Sequence, residues 1–172
     1  MNSSFERGGY GFRRMEVADL EMVRAWLAEP HLREFWGEPE TQYDVMAEGL
    51  GLDWVNPVIV THDGRPFAYL QCYDLHSEDY APYPDQPPGA RGMDTFIGVP
   101  AMLGIGHAGR YLRAYTDHRL EAGTPRLVID PNEANARAIR AYTAAGFTVE
   151  RLHVDEEGRF LIMTRDAARI SP

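Results

Sequence analysis

The chain reads as an α+β domain, with one mixed, mostly antiparallel sheet and helices on both of its faces. Three observations predict this. Short apolar runs bounded by turn residues interleave with segments of helical spacing, in the order β-α-α-β-β-β-α-β-α-β-β. A length of 172 residues with 44% hydrophobic side chains is enough for one domain with its own core. Late in the chain a strand, Arg91 to Val99, runs straight into a small-residue turn and then into a helix.

Each element has a local reason. Tyr10 to Met15 is a short first strand; Val17-Ala18-Asp19 then starts a helix, with Asp19 as its N-cap or first-turn acid and Leu20, Val23 and Leu27 at helical spacing. Pro30 sets the end of that helix. His31 to Gly37 carries the adjacent aromatics Phe35 and Trp36 in a polar setting, which suits the lining of a pocket or a plug at the sheet edge. Gln42 to Leu52 is expected to be a second helix. Val55 to Thr61 and Phe67 to Asp74 form a hairpin about His62-Asp63-Gly64-Arg65, with the favoured Asp-Gly pair at its turn. Leu75 to Ala90, rich in Pro, Tyr, Asp and Glu, is a long loop, and such loops are often functional. After the strand Arg91 to Val99 comes a helix from Gly109 to Glu121, then a strand from Arg126 to Asp130. A last helix opens at Pro131-Asn132-Glu133 and ends at Ala145, with Gly146 placed as its left-handed cap. Phe147 to His153 and Gly158 to Arg165 make the final hairpin. Residues 1–9 lack the apolar core of a secretory signal and read as a flexible leader, residues 10–166 as the domain, and residues 167–172 as a tail.

Composition removes several functions. No run of roughly 18 apolar residues is present, so no membrane span is expected. A formal charge of −9 argues against non-specific nucleic-acid binding, which needs a basic footprint, and is compatible with attracting a cation. One cysteine, Cys72, allows no internal disulfide and fits a reducing compartment, so a cytoplasmic location is expected. The six histidines show no metal-ligand spacing, and no metal is expected.

The turn Leu103-Gly104-Ile105-Gly106-His107-Ala108-Gly109-Arg110 packs three glycines and an alanine into six residues ahead of a helix. Unblocked backbone N–H groups and the positive end of the helix dipole make such a turn suited to phosphate. Asp94 stands inside the preceding strand among Met93, Phe96 and Ile97, where aspartate is disfavoured and an unpaired charge is costly. Arg91 is its candidate structural partner; a functional role is the other reading. Asp130 ends the next strand at its carboxyl end, a common place for ligands, although Asp before Pro131 is also a good turn residue. Tyr142 lies seven residues after Asn135 and four after Ala138, on one helix face. Its hydroxyl keeps its proton at neutral pH and can donate it to a developing thiolate, or the ring can simply fill the core.

With Asn135-x-x-Ala138-x-x-x-Tyr142-x-x-x-Gly146-Phe147 in its late helix, the chain resembles the GCN5-related N-acetyltransferases from Tyr10 to about Arg165. Gly104, Gly106 and Ala108 are similar to that family's pyrophosphate loop, which usually starts with Gln or Arg where this chain has Leu103. Within the family, His31-Leu32-x-Glu34-Phe35-Trp36-Gly37, Arg91-Gly92-Met93-Asp94, Asp130-Pro131-Asn132 and Arg137-Ala138-Ile139-Arg140-x-Tyr142 look most like aminoglycoside 6′-N-acetyltransferases and the related siderophore N-acyltransferases. The latter commonly carry His where this chain has Asp94, which favours a cationic amine.

The resemblance implies a GNAT-like fold and acetyl-CoA as acetyl donor. The donor would lie along Phe96, Ile97, Gly98 and Val99 and at Gly104, Gly106, His107, Ala108, Gly109 and Arg110, with Asn135, Ala138 and Tyr142 on the late helix. Asp94 and Tyr142 would be catalytic, Tyr142 as proton donor to the leaving thiolate and Asp94 as base or, the favoured reading, by positioning the amine while water takes its proton. Trp36, Glu78, Asp79, Asp94 and Asp130 would hold the acceptor, a small cationic amine such as the 6′-amino group of an aminoglycoside. Direct attack in a ternary complex is implied. Other acceptors, such as siderophore precursors, other small amines or peptides, remain open, as does a non-catalytic sensor of coenzyme A or aminoglycoside. No nucleic acid or membrane partner is expected, and the chain would act as a monomer or homodimer.

Overall fold

A computed structural model describes residues 4–78 and 80–168. Eight strands form one sheet in the order β1-β2-β3-β4-β5-β6-β8-β7. They are β1 (Phe5–Arg7), β2 (Tyr10–Arg14), β3 (Val55–His62), β4 (Arg65–Asp74), β5 (Arg91–Ile97), β6 (Arg126–Ile129), β7 (Thr148–Val154) and β8 (Arg159–Asp166). The helices are α1 (Leu20–Leu27), α2 (Pro30–Trp36), α3 (Pro39–Gly49), α4 (His107–Glu121) and α5 (Ala136–Ala145). The expected fold class is the observed one.

The sheet splits at one place. β5 and β6 are parallel neighbours paired only at Arg91 with Leu127 and Gly92 with Val128, whereas the other pairs are antiparallel. From Met93 onward β5 leaves β6 and opens a cleft. Successive side chains of β5 point to opposite faces. Met93 and Ile97 therefore pack with Tyr111 and Leu112 of α4 and with Tyr142 of α5. Phe96 packs on the other face with Val23, Trp26 and Leu27 of α1 and with Tyr69 of β4. Asp94 shares that second face. The register sets Gln71 opposite Asp94 and Tyr69 opposite Phe96.

Several boundaries differ from the sequence reading. The leader contains β1, which pairs with β2, and Phe5 stacks on Phe12 at 4.7 Å. Gly8 and Gly9, at φ 61° and 82°, form the two-residue turn with both central φ positive that such hairpins favour. His31 to Trp36 is helical: Pro30 both stops α1 and occupies the first turn of α2, where its missing N–H costs nothing. For the same reason α3 starts at Pro39 rather than Gln42. The last helix begins at Ala136, not Pro131, because Asn135 caps it by accepting a bond from the Ala138 N–H at 3.1 Å. β5 ends at Ile97, since the N–H groups of Gly98 and Val99 both turn onto the Phe67 carbonyl, at 2.8 and 3.3 Å. The loop between β4 and β5 lacks helix and strand among its described residues, yet it is tethered to β7 by Asp85 with Arg151 and by Gln86 with Glu150.

Candidate active site

Two cavities adjoin in the cleft, and their charge is opposite. The first, of about 340 Å³, lies between the glycine turn, the free end of β5 and α5. Gly104 and Gly106 sit at φ 76° and 86°, a region costly for other residues, and Gly106 is the N-cap of α4. A Cβ on Gly104 would meet no atom within 4 Å, so this part of the turn is open. His107, Ala108 and Gly109 follow, and the first N–H groups of a helix have no partner within it. Phe96 and Ile97 from β5, with Asn135, Ala138 and Tyr142 from α5, complete the expected donor-binding set in this lining. Among the described residues no Asp or Glu lines the cavity, whereas Arg137 and Arg140 do.

Three expected donor contacts are not in this lining. Gly98 lies beneath the Trp26 indole, and Val99 packs between the two halves of the core. Arg110 folds back, its Nε donating to Tyr10 Oη at 3.1 Å and a terminal nitrogen to the Ile105 carbonyl at 3.1 Å. Tyr10 Oη also bonds His107 Nδ1 at 2.7 Å, which ties β2 to the start of α4. Burial, then Arg110 and His62, lower the pKa of His107.

The second cavity, of about 850 Å³, is lined by Asp94 and Asp130 and also by Glu34 and Glu157, with no Lys or Arg among the described residues. Aromatic rings form much of its wall: Trp36 from α2, Trp54 ahead of β3, Tyr73 from β4 and Tyr80 from the long loop. Trp36 meets Phe96 edge-on at 4.9 Å. Glu78 is exposed and outside this lining; Asp79 lies outside the described residues. The loop instead contributes tyrosines. Tyr80 stacks on Trp54 at 5.9 Å, and Tyr83 Oη donates to Asp130 Oδ2 at 2.5 Å.

Asp94 does not pair with Arg91, which bridges Asp74 at 3.2 Å because the register sets those two opposite each other. Asp94 instead accepts from Gln71 Nε2 at 2.6 Å. Burial, and next the charge of Asp130, raise its pKa from the usual carboxylate range toward neutrality, against the pull of Gln71. Burial raises Asp130 too, opposed by the Tyr83 bond. Two acids that line one cleft with no cation among its described lining residues form a region that a cation could neutralise. Tyr142 lines both cavities, as do Trp36, Thr95, Asn135 and Ala138. Burial, with Tyr111, Asp94 and Asp130 adding to it, pushes its phenol far above the usual range, so it stays protonated.

Sequence reasoning did not single out Gln71, Trp54 or Glu157, and it offered Tyr83 only as one of the tyrosines of a long loop suited to a polycationic ligand. Gln71 is found through strand register and Tyr83 through a contact 47 residues away in sequence. His31 was also missed in its specific role: its Nε2 bonds the Ile97 carbonyl at 2.8 Å and fixes α2 against the free end of β5.

Residues 16–154 match the acetyltransferase (GNAT) domain family. The chain is 30% identical over 166 residues to the aminoglycoside N(6')-acetyltransferase type 1 of Klebsiella pneumoniae, covering 90% of this chain and 83% of that protein. It is 26% identical over 136 residues to the N(6)-hydroxylysine O-acetyltransferase of Escherichia coli, covering 76% of this chain and 43% of that protein. The crystal structure of the aminoglycoside acetyltransferase AAC(6')-Ib with coenzyme A and kanamycin is similar at a TM-score of 0.77 and 27% identity, over 91% of this chain and 94% of that one. A sheet split beside a glycine turn, carrying the Asn135, Ala138, Tyr142 helix and matching over most of its length, makes this chain a member of the GNAT acetyltransferase family.

Proposed function

We propose that the protein transfers the acetyl group of acetyl-CoA to the 6′-amino group of an aminoglycoside within a ternary complex. One observation carries the reading: an acid-free cavity and an acid-lined cavity share a wall, and Tyr142 stands in it. The residues present fit the donor. Open backbone at Gly104 and the first turn of α4 suit its diphosphate, and the edge of β5 that β6 leaves unpaired beyond Gly92 suits an extended arm. Acetyl-CoA supplies an activated thioester.

The chain's own residues do the rest. Asp94 and Asp130 anchor the cationic acceptor, and the aromatic wall of Trp36, Trp54 and Tyr80 receives the faces of its rings. An ordinary aspartate is too weak a base for an ammonium group; burial makes Asp94 stronger, so it both positions the amine and accepts its proton at the carboxylate. As the new C–N bond forms and the C–S bond breaks, Tyr142 Oη, which keeps its proton and has no bonding partner among the described residues, gives that proton to the departing sulfur, and the second proton released by the acetylated nitrogen restores the phenol. An amino-acid acceptor such as hydroxylysine fits less well, because no cation among the described residues of the second lining would meet its carboxylate.

Thiol release from acetyl-CoA is to be followed with kanamycin, N6-hydroxylysine and a short peptide side by side. Saturable release with kanamycin alone, giving a product heavier by one acetyl group on the 6′ nitrogen, supports the reading. Release only with hydroxylysine or the peptide overturns the acceptor class. Binding of acetyl-CoA and kanamycin without release overturns catalysis in favour of a sensor.

A further inference from the structure

We propose that Arg137 and Arg140 bind the 3′-phosphate of coenzyme A, so that the monoester phosphate is read from α5 while the diphosphate is read from α4. The proposal rests on the reading of the acid-free cavity as the donor site. Arg137, Arg140, Ala141 and Ala144 all line that cavity, and their spacing of three, four and seven residues makes one continuous stripe along α5. The small residues floor the cavity, where Ala144 and the Ala141 carbonyl meet Gly109 of α4. The two arginines stand exposed at its rim.

The chain has 26 acids against 17 Lys and Arg, all of the latter arginine. Eight other arginines, Arg7 and Arg126 among them, form ion pairs with carboxylates. Arg137 and Arg140, like Arg33, Arg65, Arg110, Arg113 and Arg119, form none among the described residues; what sets these two apart is that they line a cavity that no described carboxylate lines. The turn itself supplies little cationic charge. Arg110 is occupied by Tyr10 and the Ile105 carbonyl, and Leu103 is apolar and packed on the core. Backbone N–H groups can hold the singly charged phosphates of a diphosphate bridge. A phosphate monoester carries about −1.5 to −2 at neutral pH and presents three acceptor oxygens. Guanidinium forks match that geometry and charge.

The test compares coenzyme A with 3′-dephospho-coenzyme A by calorimetric titration of the wild-type protein, Arg137→Gln, Arg140→Gln and the double variant. Wild type is expected to bind coenzyme A about tenfold more tightly than the dephospho form, as one or two charge-assisted hydrogen bonds provide. The double variant is expected to bind both ligands alike, with the wild-type affinity for the dephospho form. Raising salt should erase most of the wild-type preference. Equal wild-type affinities for the two ligands overturn the proposal, as does a double variant that weakens both alike or keeps the wild-type preference. Failure of wild type to bind either ligand is a different result: it overturns the donor reading of the cavity, and this proposal with it.

Discussion

Gly98 marks where β5 ends, and the structure predicts that even one added methyl there is disruptive. An ideal Cβ at Gly98 falls 2.1 Å from Cγ and Cδ2 of Trp26 and 2.7 Å from Cδ1. Carbon atoms in contact normally keep about 3.5–4.0 Å. The clash is with the root of an indole only 8% exposed, whose ring also meets Phe96 edge-on at 6.4 Å, so no flexible side-chain end can swing away. Either α1 shifts or Trp26 is expelled. Overpacking of this kind costs about 1–3 kcal/mol. For a domain of this size each kcal/mol lowers Tm by about 2–4 °C, so a cost of about 2 kcal/mol shifts Tm by about 4–8 °C. The assay is thermal and urea unfolding of Gly98→Ala, Trp26→Leu and the double variant. Because the cost arises from one contact, the two substitutions should couple: Gly98→Ala should cost far less in the Trp26→Leu background than in the wild-type one. Strictly additive costs, or an unchanged Tm for Gly98→Ala, would refute the steric account.

Tyr142→Phe should lower kcat by about a hundredfold or more while both KM values stay near wild type, since it removes a proton donor and little packing; an unchanged kcat removes Tyr142 from the proton path. Burial raises the pKa of Asp94, so the folded chain holds that proton more tightly than the unfolded one. Its contribution to stability is complete below the ordinary aspartate range of about 4 and is lost as pH rises through the raised value. The ligand-free protein should therefore lose Tm between about pH 5 and pH 8 more steeply than Asp94→Asn; parallel profiles would contradict the raised pKa. Gly109→Val should destabilise by about 2 kcal/mol in urea, because its Cβ already meets Ala144 Cβ at 3.0 Å and the Ala141 carbonyl at 3.3 Å; wild-type stability would mean that α4 and α5 are less tightly apposed.

What was legible in the sequence was local. The glycine turn, the spacing of Asn135, Ala138 and Tyr142, and an aspartate out of place in an apolar strand each carry their reason within a few residues. Misplaced elements were those whose signal is short or double-edged. β1 has three residues, too few for a period of two to show, and a proline that ends one helix was not read as starting the next. Contacts across the fold were not legible. Arg91 is near Asp94 in sequence, but register pairs it with Asp74 and gives Asp94 to Gln71. The same holds for the loop acids: Glu157, from the turn between β7 and β8, lines the second cavity, whereas Glu78 does not. Chain path decides which acid arrives, and composition carries no record of it.

Separation of charge between the two cavities is tested most directly by titrating kanamycin and coenzyme A, each in turn, into wild type and Asp130→Asn. Loss of one half-buried carboxylate partner should weaken kanamycin about tenfold or more and leave coenzyme A at its wild-type affinity. Unchanged kanamycin binding, or an equal loss for both ligands, would contradict the account.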